Sequence, residues 1–244
     1  MSRVFFILIL ISQILLIGCK GPEDFPINFT SPRWHHQETL NYKITRGNRQ
    51  IGRLKFLLSF DVNNEVPVYL VYRCSNYERP FDEIFDSAVV CFTRKDFMPL
   101  RSYINVSSDF GYYITEAHYL KDKVEIFHET MDGLTRKELP LTGNCYDYVM
   151  MFYLLRAADF SKRRIYRFYL VSPPINEKIL YVARASKKAK LTVDNQFYEC
   201  IKVTLTNLYT NDDYYLYYEK AEPRRLIRYQ DKRRNLVYDL IPNE

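Results

Sequence analysis

Five cysteines, four histidines and 29 carboxylates are the groups of this chain that could do chemistry, and their spacing argues against most catalysis. His35 and His36 stand together beside Trp34, while His118 and His128 lie ten residues apart in segments that read as strands. Neither pair has the His-Glu-x-x-His spacing, and no Cys-x-x-Cys occurs, so nothing gathers ligands around one metal ion. The chain, with only seven glycines, lacks a Gly-x-Ser-x-Gly elbow, a Ser-x-x-Lys pair and a glycine-rich phosphate loop. Asp82, Glu83 and Asp86, or Asp212 with Asp213, could act as acid and base only in a cleft that pushed their pKa values apart, and both sets sit in polar turns. The expectation is therefore a protein that is not an enzyme, with no catalytic residue, no metal and no cofactor. For binding, the best candidate is the run Tyr214, Tyr215, Leu216, Tyr217, Tyr218, because tyrosine offers a large flat area and a polar tip. The alternative is packing, since strands favour tyrosine on both faces.

One cysteine has a different chemistry. The α-amino group and Arg3 precede an apolar stretch, Val4 to Ile17, whose 14 residues are too few to cross ~30 Å of hydrocarbon as a helix. Such a segment reads as a secretory signal. Its end, Leu16-Ile17-Gly18-Cys19, resembles the lipobox of bacterial lipoproteins. The resemblance implies a diacylglycerol on the Cys19 thiol, removal of residues 1–18, acylation of the new N-terminus, and attachment to the membrane through that lipid. Lys20, where many inner-membrane lipoproteins carry aspartate, implies the outer membrane, with the domain facing the periplasm. Cys74, Cys91, Cys145 and Cys200 are then an even set of thiols in a compartment that permits disulfides. Cys74 ends one expected strand and Cys91 lies in the next, so a Cys74–Cys91 bridge is the favoured pairing, against four buried thiols.

Charge is unevenly shared: residues 19–144 carry 16 basic and 17 acidic side chains, whereas residues 145–244 carry 18 and 12, a net of +6. Basic residues cluster at Lys162 to Arg167, at Lys187 to Lys190, and at Arg224, Arg225, Arg228, Lys232, Arg233 and Arg234. Clustered cations attract anionic lipid headgroups or acidic partners; nucleic acid is not expected of an exported chain. The alternative is that these residues guard solvated strand edges against aggregation.

The elements that must position these residues are mostly strands. Lys20 to Gln37, with Pro22, Pro26 and Pro32, reads as an extended tether (19–37). From Glu38 the pattern alternates with period two: Leu40, Tyr42, Ile44, then Leu54, Phe56, Leu58, with Gly47-Asn48 supplying a hairpin turn between them. Further strands are expected near 66–74, 88–94, 100–106, 111–120, 124–129, 134–139, 164–171, 179–185, 190–193, 197–205, 214–219, 224–230 and 236–240. Between them Tyr146, Val149, Met150, Tyr153, Leu154 and Ala157 follow helical spacing, which predicts one helix over 145–158, capped by Asn144 or Asp147. Residues 38–244 thus form a single β-rich domain.

Glu38-Thr39-Leu40-Asn41-Tyr42 with Gly52, Phe97-Met98-Pro99-Leu100-Arg101, Tyr153-Leu154-Leu155-Arg156, and Glu219 with Arg224-Arg225-Leu226-Ile227-Arg228 together resemble domain of unknown function 3108 of bacterial envelope proteins. The helix carries Met150, Met151 and Phe152 where the family has small residues. More distantly, the order of elements is similar to the lipoprotein-carrier half-barrel. The fold class expected is mainly β, one large, strongly curved antiparallel sheet, a half-barrel or open barrel, with one main helix packed on it. The function expected is a lipid-anchored periplasmic binding protein for a hydrophobic or anionic envelope component, a lipid or a lipoprotein; the alternative is a scaffold lipoprotein without a small-molecule ligand. Cys19→Ser should abolish metabolic lipid labelling and leave the precursor uncleaved or released; continued acylation of that variant would overturn the address.

Overall fold

The computed structural model describes residues 27–30, 32–79, 82–186 and 188–242; the expected signal segment 1–18, Cys19 and the chain up to residue 26 lie outside them. Sixteen strands build one sheet: β1 (Gln37–Arg46), β2 (Arg49–Asn63), β3 (Val66–Arg79), β4 (Asp82–Thr93), β5 (Pro99–Ser108), β6 (Gly111–Tyr119), β7 (Lys123–Thr130), β8 (Gly133–Pro140), β9 (Cys145–Asp147), β10 (Ile165–Ser172), β11 (Glu177–Ala185), β12 (Ala189–Val193), β13 (Gln196–Asn207), β14 (Asp213–Glu219), β15 (Leu226–Asp231) and β16 (Leu236–Leu240). Their order is β8-β7-β6-β5-β4-β3-β2-β1-β16-β15-β14-β13-β11-β10-β9, with β12 paired to β13. All neighbours run antiparallel except β9 and β10. The sheet curls strongly without closing, as the alternation of apolar and polar residues predicts for a sheet with one dry concave face. In β2, for example, Leu54, Phe56 and Leu58 are buried while Arg53 and Lys55 face outward.

Gly47 sits at φ 59° as the first of two loop residues between Arg46 and Arg49, which is the arrangement of a type II′ hairpin turn. Gly52 has a different reason to be glycine: a Cβ there would lie 2.2 Å from the Asn76 carbonyl oxygen on β3.

The helix is shorter than its periodicity predicts. Only α1 (Met151–Ala157) is α-helical, preceded by a 3-10 turn at Tyr148–Met150, and Cys145–Asp147 is instead a strand pairing with Tyr169–Val171. The edge of β10 offers backbone partners that an isolated first helical turn cannot match, and that overrides side-chain spacing. Asp147 does cap the turn, accepting the Val149 N–H at 2.7 Å.

The supposed tether is also corrected. Ile27 and Trp34 are buried, Phe29 stacks on Phe97 at 4.4 Å, and Trp34 packs edge-on to Phe97 and Tyr153. The Thr30 N–H donates to the Ala157 carbonyl and the Asp159 N–H to the Asn28 carbonyl, at 2.9 and 2.7 Å. Each buried aromatic of this kind stabilises by about 1.5–3 kcal/mol, so residues 27–30 and 32–36 belong to the domain and stop one end of the half-barrel. The Cys74–Cys91 bridge fails on register. Cys74 faces Ser87 and Cys91 faces Leu70, four positions apart. At ~3.3 Å per residue that is ~13 Å, about twice what a disulfide spans, and both thiols are free.

At the C-terminus of α1, the Arg156 guanidinium is enclosed: Nη1 and Nη2 donate to the two oxygens of Glu38, the second at 2.8 Å, and Nε donates to the Pro223 carbonyl at 2.8 Å. Its face lies over Trp34 and Tyr153. Removing one partner of such a pair leaves an uncompensated buried charge, so Glu38→Gln should cost about 3–5 kcal/mol in urea unfolding, while Glu38→Leu with Arg156→Met recovers most of it. A loss below ~0.5 kcal/mol for Glu38→Gln would show that the pair is not the clamp of α1.

Candidate functional site

α1 crosses the concave interior and divides it. Tyr153 and Leu154 face the plugged end, packed against Trp34 and Phe56 or fully buried. Met151 and Phe152 face the other way, into a cleft of about 860 Å³ bounded also by the β5–β6, β7–β8, β10–β11, β13–β14 and β15–β16 connections. A volume of that size suits a small or chain-like organic molecule.

The walls differ in character. Along β3 the concave-side residues run Tyr69, Val71, Arg73, Ser75, Tyr77, so a cation follows two buried apolar residues. Arg73 Nη2 donates to both Asp86 oxygens at 2.7 Å and approaches the Tyr148 hydroxyl at 3.4 Å, with its guanidinium 5.4 Å from the Tyr148 ring centre. The Arg73 Nε–H is buried and has no partner. The facing wall, from β11 and β14–β16, is aromatic: Tyr214 stacks on Tyr229, Tyr229 lies against Tyr238, and Phe152 meets Tyr229 edge-on at 5.1 Å. Burial raises all these phenols, Tyr113 and Tyr181 to about 12, so they stay protonated and can donate hydrogen bonds into the cleft. At the mouth Phe110, Met131, Ile175 and Tyr209 are exposed.

Neither histidine nor cysteine lines this cleft, and among the described residues no group of His, Cys, Asp and Glu is arranged to hold a metal ion. Aromatic faces, phenol hydroxyls and one enclosed ion pair are equipped to bind.

Strand alternation splits the Tyr214–Tyr218 run. Tyr214 lines the cleft and Tyr218 is buried beneath α1, donating to the Phe152 carbonyl at 2.8 Å. Tyr215 and Tyr217 lie on the convex face, where the Lys202 ammonium sits 3.8 and 5.8 Å from their ring centres. The arginines of the basic cluster have acidic partners. Arg224 pairs with Glu222, Arg225 with Glu219, Arg228 with Asp239, Arg233 with Asp212 and Arg234 with Asp231. Each of these five arginines has a carboxylate within 4 Å, while the Lys232 ammonium sits 5.5 Å from the Tyr215 ring centre, so the cluster is largely paired. Most of the cleft residues were missed in the sequence. The signal that could have found Arg73 is its charge at a concave-side position of an otherwise apolar alternation.

Asp147 holds Tyr148 in place at the cleft floor. Its carboxylate is fully buried, accepting from the Tyr119 hydroxyl at 2.6 Å and from the Val149 N–H. Burial raises its pKa, against the lowering effect of those bonds.

No protein-family model and no curated protein matches the chain, so the likeness to domain of unknown function 3108 rests on its motifs alone. A similar solved structure is the crystal structure of a beta-barrel-like protein of domain of unknown function 1849 from Brucella abortus. It has 9% sequence identity and a TM-score of 0.55, with 84% of this chain and 95% of that chain covered. At that identity the likeness shows the fold alone.

Because the folded state holds the Asp147 proton more tightly than the unfolded chain, this group's contribution is full below the ordinary carboxylate pKa and is lost as pH rises through the raised folded value. Asp147→Asn, which cannot ionise, should therefore gain stability relative to the parent between pH 4 and pH 7. Urea midpoints at both pH values check this; a constant difference would mean that Asp147 does not ionise across that window.

Proposed function

We propose that this chain is a non-enzymatic binding protein of the bacterial envelope, anchored by lipid on Cys19, that holds an amphipathic ligand with an apolar body, a lipid or the acyl part of a lipoprotein, in the concave cleft. The observation that supports it is the unfilled space itself. A domain able to pack Trp34, Phe97 and Tyr153 densely on one side of α1 leaves about 860 Å³ open on the other, lined by aromatic and aliphatic side chains together with charged ones such as Arg73, Asp86, Glu177 and Asp231. Cores are otherwise filled to crystal-like density, so an opening of this size with mixed aromatic and polar walls suits an amphipathic guest.

The anchor and the cleft fit together in one respect. Seven residues, and so eight Cα–Cα steps, separate Cys19 from Ile27. They reach at most about 30 Å. Ile27 belongs to the plugged end, so a lipid on Cys19 holds that end near the bilayer and leaves the mouth turned away from it. The ligand would then be exchanged with a soluble or opposing partner, and the scaffold reading, in which the same surface meets a protein, becomes the second alternative.

The purified protein should bind the neutral fluorophore N-phenyl-1-naphthylamine saturably at one site and release it to dodecanol. Val106→Trp, which fills the cleft from β5, should weaken that binding by about tenfold or more while the protein stays folded by circular dichroism. Absence of saturable binding, together with native mass spectra free of lipid adducts, would favour the scaffold reading.

A further inference from the structure

We infer that Arg73 is the recognition point for the acidic head of the ligand, a carboxylate or a phosphate. This rests on the reading of the cleft as a site for an amphipathic molecule. Three cations border the cleft among the described residues, and they differ in enclosure. The side chains of Arg233 and Arg234 are 64% and 66% exposed at the mouth, while that of Arg73 is 12% exposed.

The way Arg73 is held is informative. A guanidinium usually meets a carboxylate with two nitrogens, one for each oxygen. Here Nη2 alone serves both oxygens of Asp86, and the Nε–H is left buried without a partner. A buried donor left unsatisfied is costly, and Arg73 is a residue of the cleft lining, so a turn of its guanidinium would bring that donor to an acceptor arriving with a ligand. The Tyr148 hydroxyl lies 3.4 Å from Nη2 of the same guanidinium, so the head of a ligand could meet the guanidinium and the phenol together while the body continues over Phe152 and the stacked tyrosines. Asp86 offsets the charge of Arg73 and also fixes its position, so discrimination should be moderate.

The test compares three probes with the same chain: laurate, dodecyl phosphate and dodecanol, each displacing N-phenyl-1-naphthylamine. Laurate or dodecyl phosphate should bind about tenfold more tightly than dodecanol, and whichever anion binds better identifies the head as carboxylate or phosphate. Arg73→Gln should bring the anion-to-alcohol ratio close to one. Asp86→Asn should move it the opposite way, raising the ratio severalfold, and it carries the test if Arg73→Gln does not fold. A parent ratio near one, or a ratio that Asp86→Asn leaves unchanged, overturns the role of Arg73 while leaving the cleft as a binding site. Failure of all three probes to bind overturns the cleft reading, and the head-group assignment with it.

Discussion

The buried pair between Arg156 and Glu38 is the contact on which the interior is arranged. Neither ion gains much in net free energy by leaving water, because desolvation offsets most of the Coulomb attraction. What the pair contributes is position. Glu38 belongs to β1, Pro223 to the connection before β15, Trp34 to the N-terminal segment and Arg156 to α1, so one guanidinium ties four parts of the chain together with three directed bonds and two aromatic faces. A purely apolar contact could slide. A satisfied ion pair in a dry core has essentially one geometry, and α1 is therefore held at one depth in the half-barrel.

That depth matters because the sheet does not close on itself. Its two edges are β8 and β9, and the gap between them is bridged by packing: Tyr119, Val124 and Ile126 from β6 and β7 meet Cys145 and Val171, with Leu139 and Leu141 alongside. The Tyr119–Asp147 hydrogen bond crosses this seam. β8 is solvent-exposed for most of its length and carries Arg136, Lys137 and Glu138, charges that discourage another chain from pairing with it. The open edge is thus protected chemically, and the other edge is pinned by the residue that positions Tyr148 in the cleft.

The strands were legible in the sequence because alternation is a local signal; Leu54-x-Phe56-x-Leu58 says which side is dry without knowing what lies opposite. The sheet class followed from the same signal. What was not legible depends on register. Whether Cys74 meets Cys91 is decided by a four-position offset that neither strand reveals alone. The tyrosines of β14 separate onto two faces for the same reason, and the arginines after Pro223 are neutralised by carboxylates as distant in sequence as Asp212 and Asp239. The cleft is harder still, since Arg73, Val106, Phe152, Tyr181, Tyr214 and Tyr229 come from six elements that meet only after the sheet curls. The N-terminal segment misled for a different reason: three prolines suggested an extended chain, but Trp34 and Phe29 bury enough apolar area to dock it.

The shortness of α1 explains why a cleft exists at all. A helix over 145–158 would be ~21 Å long and, inside a half-barrel whose strands of ten residues span ~33 Å, would fill much of the interior. The seven residues of α1 reach only ~10 Å. The residues that periodicity assigns to the first helical turns instead add β9 to the edge of β10 and wind a single 3-10 turn that carries Tyr148 to the cleft floor. The same competition between backbone pairing and helical spacing that defeats a reading of the periodicity therefore completes the sheet edge, leaves the upper interior empty, and lines its floor with a phenol beside an enclosed arginine.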